Sequence, residues 1–138
     1  MLKFDYMDLK EAMKKYVEEL DPFLSMLQVK TIEAKDGYAK LSMKFRTEIT
    51  RLGGIANGGA IATLIDATGG AAVMTLNNEG RNQVTVTLNI EYIRPVSKDF
   101  YAEAWVKKRG RNLAFVYIEV KDADENLCAA ANGVWMYL

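Results

Sequence analysis

The chain has 138 residues and carries 18 basic and 18 acidic side chains, so its formal net charge is zero. With half its residues hydrophobic and about a quarter charged, it suits one domain, 1–138, with a substantial core, and it lacks the basic excess of a nucleic-acid binder. The absence of histidine and the presence of a single cysteine, Cys128, exclude imidazole-based catalysis and internal disulfides and argue against a zinc site, which leaves acid–base chemistry to Asp, Glu, Lys and Tyr.

An N-terminal helix is expected within residues 1–22. Asp8 can cap it, Leu9, Met13, Tyr16, Val17 and Leu20 recur at helical spacing, and Asp21-Pro22 ends it. Two strands follow at 27–34 and 38–45, joined by the turn signal Lys35-Asp36-Gly37. In the second strand Ala39, Leu41, Met43 and Phe45 alternate with polar residues, so one face is buried.

A central helix is expected over 60–77, with Ile61, Leu64, Ile65, Thr68, Ala72 and Leu76 in register and Asp66 as its lone acid. A helix apolar nearly all round is a buried one. Gly58, Gly59, Gly69 and Gly70 lie in or beside it. Each costs ~1 kcal/mol in a helix interior, so something is expected to pack close against that backbone.

Four strands complete the chain at 84–93, 100–108, 112–121 and 126–137. The first places Val84, Val86, Leu88, Ile90 and Tyr92 on one face and Thr85, Thr87, Asn89, Glu91 and Ile93 on the other, and Pro95 stops it. Gly110 and the acidic run 122–125 mark the later turns. The fold class is therefore α+β: an antiparallel sheet of about six strands wrapped around a long central helix. The first fifteen residues lack the apolar core of a secretory signal, no apolar run reaches the ~18 residues a bilayer needs, and a lone cysteine fits a reducing compartment. A cytoplasmic protein with no membrane partner is expected.

Carboxylates are almost never fully buried without a partner. Asp66 is thus either a structural acid held in a hydrogen-bond network or a group that does chemistry. Thr63 and Thr68 lie close enough along the helix to be its partners. The helix start offers free N–H groups and partial positive charge. Gly58, without a Cβ, lets a carbonyl approach, and Asn57 is placed to cap the helix. Asp66 lies eight residues beyond Gly58, ~12 Å along the axis. One helix cannot bring both groups to the same carbon. If they act together, Gly58 comes from a second copy of the chain, and each site is shared between two subunits.

The stretch GIANGGAIATLID, residues 54–66, followed by VTVTLNIEYIRPV at 84–96, KRGR at 108–111 and AAANG at 129–133, resembles the hotdog-fold thioesterases of the phenylacetic-acid-degradation (PaaI-like) type. The likeness runs from about residue 27 to the end of the chain. The family motif is Asn-x-x-Gly-x-x-His-Gly-Gly with an acid seven residues after the second glycine. Here Asn57 stands at the histidine and Arg51 at the upstream asparagine. Asn57 can donate an amide hydrogen bond but cannot titrate. The resemblance implies a hotdog fold and hydrolysis of an acyl-CoA thioester to free acid and CoA. Asp66 would be base or nucleophile and the Gly58 amide of a partner subunit the oxyanion donor, with Asn57 and the Thr85 hydroxyl beside them. It also implies self-association as a homodimer or homotetramer, the tetramer by analogy with hotdog dimers that pair again. Gly59, Arg51, Arg94, Arg109 and Arg111 are the expected substrate contacts, arginine being apt for the phosphates of CoA. The acyl group needs an apolar tunnel, for which Leu52 or Ile55 and helix residues near Asp66 are candidates. CoA is part of the substrate, so no cofactor and no metal are expected. Asn57 and Arg51 motivate the alternative, a non-catalytic acyl-CoA binding protein of the same fold.

Overall fold

The computed structural model describes residues 8–138; positions 1–7 of the expected N-terminal helix lie outside them. Asp8 occupies the cap position of helix α1 (Leu9–Lys15), but its side chain makes no capping bond. The helix then widens into a five-residue π turn, Tyr16–Leu20, in which the Tyr16 carbonyl accepts from the Asp21 N–H at 2.9 Å. Pro22 ends this segment and opens the next. Proline suits the first position of a helix because its missing N–H would have no partner there. Helix α2 (Pro22–Met26) starts at that residue, with the Asp21 carboxylate accepting from the Leu24 N–H at 3.0 Å. This second helix is unexpected, and strand β1 (Lys30–Lys35) begins after it, three residues later than the expected start at 27.

β1 turns into β2 (Tyr38–Met43) through Asp36 at φ 50° and Gly37 at φ 80°. Two consecutive left-handed residues make the tight hairpin that matches strand twist. Ala39, Leu41 and Met43 all face the core. After a 3-10 turn at Thr47–Ile49, helix α3 runs Gly58–Met74. It starts two residues before and stops three before the expected 60–77. Strands β3 (Gln83–Tyr92), β4 (Phe100–Arg109), β5 (Leu113–Asp122) and β6 (Leu127–Tyr137) complete one six-stranded sheet in the order β1-β2-β4-β5-β6-β3. Every adjacent pair is antiparallel. This is the expected hotdog arrangement, a sheet curled around one helix. Among the described residues no helix is long and apolar enough to cross a membrane.

The core explains why α3 carries so little polarity. Ile61, Leu64, Ile65, Thr68 and Ala72 are buried against the inner face of the sheet. That face is rich in alanine: Ala39, Ala102, Ala104, Ala114, Ala129 and Ala131 are all buried. Small side chains let the strands come close to the helix and bend round it. One large ring fills the remaining gap. A Cβ added to Gly69 would lie 2.3 Å from the Trp135 indole, and one added to Gly133 would lie 2.5 Å from the same ring. The close approach expected from the glycines of α3 is therefore the Trp135 side chain. Tyr137 adds a polar stitch, its hydroxyl donating to the Val73 carbonyl at 2.9 Å. Cys128 is a buried small hydrophobe whose thiol pKa is raised, chiefly by burial.

The neighbouring glycines of α3 separate packing from helix propensity. Gly69→Ala is expected to destabilise by roughly 1–3 kcal/mol through overpacking against Trp135. In Gly70→Ala the new methyl would sit 3.5 Å from the indole nitrogen, an ordinary contact, and the change is expected to gain a few tenths to ~1 kcal/mol from helix propensity. Urea denaturation of the two variants reads the opposite signs directly.

Candidate active site

Simple alternation along β3 places Thr85 on the face opposite Leu88 and Ile90. The structure reverses this. β3 pairs with β6 through a bulge, in which Thr85 lies opposite Trp135 and Thr87 opposite Val134, leaving Val86 as the extra residue. One additional residue exchanges the faces of the strand on either side of it. Inward positions beyond the bulge are Leu88 and Ile90, opposite Gly133 and Ala131. Before it they are Gln83 and Thr85, opposite Tyr137 and Trp135. The bulge turns the Thr85 hydroxyl toward α3 and leaves Val84 and Val86 exposed, at 43% and 53%.

Thr85 meets the lone acid there. Its Oγ1 donates to Asp66 Oδ1 at 2.6 Å. No other hydrogen bond or ion pair reaches Asp66 from the described residues, so Oδ2 is left for a ligand or water. Thr63 and Thr68 do not serve as partners. Each hydroxyl bonds back one turn along the helix, Thr63 to the Gly59 carbonyl at 2.9 Å and Thr68 to the Leu64 carbonyl at 2.6 Å. Asp66 and Thr85 line a cleft of ≈ 620 Å³ between α3, β3 and the N-terminal helical segment. Met13, Val17, Phe23, Leu24 and Met74 make it mostly apolar, with Tyr16 and Trp135 among the remaining walls. Burial, aided by the Asp21 carboxylate, holds the Tyr16 phenol above its ordinary pKa. Leu52 and Ile55, the expected tunnel residues, are not part of this cleft; Leu52 is 96% exposed.

The start of α3 is built tightly. Asn57 caps it, its Oδ1 accepting from the Gly59 N–H at 2.7 Å, and the Asn57 N–H donates to the Ile49 carbonyl at 2.7 Å. The Gly58 N–H makes no hydrogen bond among the described residues, while the Gly58 carbonyl accepts from the Tyr92 hydroxyl at 2.9 Å. Tyr92 packs closely enough on this turn that a Cβ on Gly58 would touch its ring at 3.6 Å. A glycine with no side chain of its own is thus held by bonds on both flanking peptides. Tyr92 and Trp135 escaped the sequence reading. Tyr92 looked like the last apolar residue of an alternating strand, and Trp135 carried no signal beyond its place in the last strand.

The arginines fall into two groups. Arg51 lies in a tight loop closed by its own N–H to the Ile55 carbonyl at 2.8 Å, and Arg94 follows β3. The Ala56 N–H bonds the Val96 carbonyl at 2.8 Å, so both loops sit beside the start of α3. Both side chains are exposed and neither enters an ion pair within the described residues. Arg109 is different. It grips the Glu79 carboxylate with two bonds, at 3.0 and 2.9 Å, and stacks over Tyr137 at 4.2 Å, beyond the far end of α3. Its hydrogen bonds hold the Glu79 carboxyl below the usual range. Arg111 is exposed on the same hairpin. The structure brings Asp66 and Thr85 together, and groups Asn57, Gly58 and Gly59 with Arg51 and Arg94. It leaves Arg109 and Arg111 apart from both. No group of three or more potential metal ligands occurs among the described residues.

Residues 53–129 match the family described as "Thioesterase superfamily". A Saccharolobus solfataricus protein that carries the name of an esterase is 37% identical over 129 residues, 93% of this chain and 91% of its own length. Acyl-coenzyme A thioesterase 13 of Pongo abelii is 30% identical over 95 residues, 67% of each chain. Among solved structures, a mutant of the phenylacetic acid degradation protein PaaI from Thermus thermophilus superposes with a TM-score of 0.75 at 27% identity, over 86% of this chain and 100% of that one.

Tyr92→Phe removes the hydroxyl that holds Gly58. The expected cost is about 1 kcal/mol, the worth of one hydrogen bond. It should be localised: amide exchange at residues 57–60 accelerates in hydrogen-exchange measurements while the β5–β6 ladder keeps its protection.

Proposed function

The chain belongs to the thioesterase superfamily, and we propose that it hydrolyses acyl-CoA thioesters at sites shared between two subunits. The observation that carries this reading is the Asp66–Thr85 pair, one carboxylate oxygen bound and the other open, on the wall of a mostly apolar cleft.

The acyl group lies in the cleft and the thioester carbonyl beside Asp66. The carboxylate either takes a proton from a water whose oxygen attacks the carbonyl carbon, or attacks that carbon itself to give a mixed anhydride that water then cleaves. In both routes the C–S bond breaks, CoA leaves as the thiol after protonation, and the acid is released. Charge builds on the carbonyl oxygen as the attack proceeds. The Gly58 N–H, unpaired at the positive end of α3, is suited to meet it. Eight residues separate Gly58 from Asp66, ~12 Å along the axis, so the donor belongs to the partner subunit. An unpaired edge supports such a partner: β3 ends the sheet, and Val84, Val86, Tyr92 and Ile93 are exposed along it and just after it. Exposed apolar edge strands are templates for pairing. Arg51 and Arg94, beside the Gly58 of that same partner, are placed for the phosphates of CoA. Pairing of two dimers gives the tetramer expected of the family.

Four outcomes test this. Asp66→Asn should lower kcat by about 10²–10⁴ on a panel of acyl-CoAs; equal rates in both proteins would end the catalytic assignment. Gly58→Pro deletes the proposed donor, and its Cβ meets the Tyr92 ring at an ordinary contact distance of 3.6 Å. Proline is well accommodated at the first helical position, and Asn57 before it already has the extended backbone (φ −64°, ψ 134°) that proline requires. It should fold and lose about 10²–10³ in kcat. Mixing the two inactive variants should restore up to about a quarter of wild-type activity, since half the dimers then hold one intact shared site; no recovery after subunit exchange would exclude sharing. Finally, Arg51→Ala and Arg94→Ala should raise KM for acyl-CoA while leaving KM unchanged for the same acyl group on a short thiol without phosphates.

A further inference from the structure

The proposed acyl cleft contains a hydrogen-bond donor that nothing among the described residues uses. Trp135 is only 2% exposed, and its indole N–H has no acceptor among the described residues. The sealed and unpaired buried polar atoms among these residues are Thr31 Oγ1 and Arg46 Nε. The indole nitrogen is not one of them, so it keeps a path to the cleft that its ring lines. The opening is Gly70, which also lines the cleft. A Cβ there would stand 3.5 Å from the indole nitrogen, and its absence leaves the N–H uncovered. The nearby Gln83 amide makes no hydrogen bond to the indole. Its nitrogen donates to the Gly70 carbonyl at 2.9 Å and its oxygen accepts from Asn77 at 3.3 Å. Gly69 and Gly133 clamp the ring, so the N–H direction is fixed.

Its place relative to the chemistry is also fixed. Trp135 is the direct cross-strand neighbour of Thr85, the partner of Asp66. Gly70 is four residues beyond Asp66 on α3, ~6 Å along the axis. An acyl chain whose carbonyl sits at Asp66 and which runs toward Met74 passes the indole about one helical turn further on.

We infer that Trp135 makes the cleft selective for acyl groups that carry an oxygen acceptor (a hydroxyl, ether or keto group) part-way along an otherwise apolar chain. This rests on reading the cleft as the acyl site. A wholly apolar chain covers the N–H and leaves it unpaired, whereas an oxygen at that depth satisfies it.

The test reads binding and turnover separately. Hexyl and octyl thioethers of CoA are compared with the same chains bearing one hydroxyl, moved along successive carbons, by calorimetry on the wild type, Gly70→Ala and Trp135→Phe. In the wild type the best-placed hydroxyl should tighten Kd about tenfold over the plain chain. The ratio should fall to near one in Trp135→Phe, which lacks the donor, and in Gly70→Ala, whose methyl covers it while fitting the helix. A ratio near one at every position in the wild type, a ratio that survives both substitutions, or no binding of any thioether would overturn the inference. The matching acyl thioesters are assayed for hydrolysis in parallel. Turnover without preference sinks the selectivity and leaves the hydrolase standing. Preferential binding without turnover does the reverse.

Discussion

A helix apolar on every side must be enclosed, and the architecture follows from enclosing α3. Isolated, its Ile, Leu, Ala and Val side chains would face water; a single packed layer would cover one side only. A curled six-stranded sheet covers most of the circumference, and its alanine-rich inner face permits the curvature. The remaining sector, between β3 and the N-terminal helical segment, is closed incompletely, and the gap is the cleft. The one charged residue of α3 stands in that sector. Enclosure and chemistry are thus two outcomes of the same geometry: the place where the sheet fails to seal the helix is the place where a carboxylate can meet both an apolar ligand and water.

Most of the fold was legible because its signals are local. Alternating side chains mark β2, the pair Asp36-Gly37 marks its hairpin, and Asn57 before a glycine-rich apolar run marks the start of α3. Asp66 stood out for a similar reason, as a single charge against a greasy background. The losses have equally physical origins. A bulge adds one residue without changing composition, so nothing in the string of β3 reveals that Val86 is the extra residue and that Thr85 therefore turns inward. The bond that defines the site depends on that hidden shift. Thr63 and Thr68 looked like neighbours of Asp66 along the helix, but a helix offers its own carbonyls to such hydroxyls first. The basic hairpin showed its charge in sequence and not its partner: Glu79, thirty residues from Arg109, pairs with that one arginine through the fold.

Proline illustrates how one residue can be read correctly and still mislead. Pro22 does end the first helical segment. The same fixed φ that stops one helix is suited to beginning another, and Asp21 supplies the cap. The second short helix carries Phe23 and Leu24 into the wall of the cleft. What sequence marks as punctuation is a corner in the wall of the cleft.

The π turn in that wall has a consequence for how the molecule can change over generations. Such a turn is an α-helix holding one residue more than its hydrogen-bond ladder needs. Losing one residue between Tyr16 and Leu20 would restore the regular ladder without turning the rest of the helix, because the wide turn already absorbs the extra residue. Tyr16 and Val17, which line the cleft from that turn, are the side chains that would shift. Asp66 and Thr85, on separate elements, would not move. A single codon gained or lost in the wall can therefore reshape the cleft while the Asp66–Thr85 pair is inherited intact.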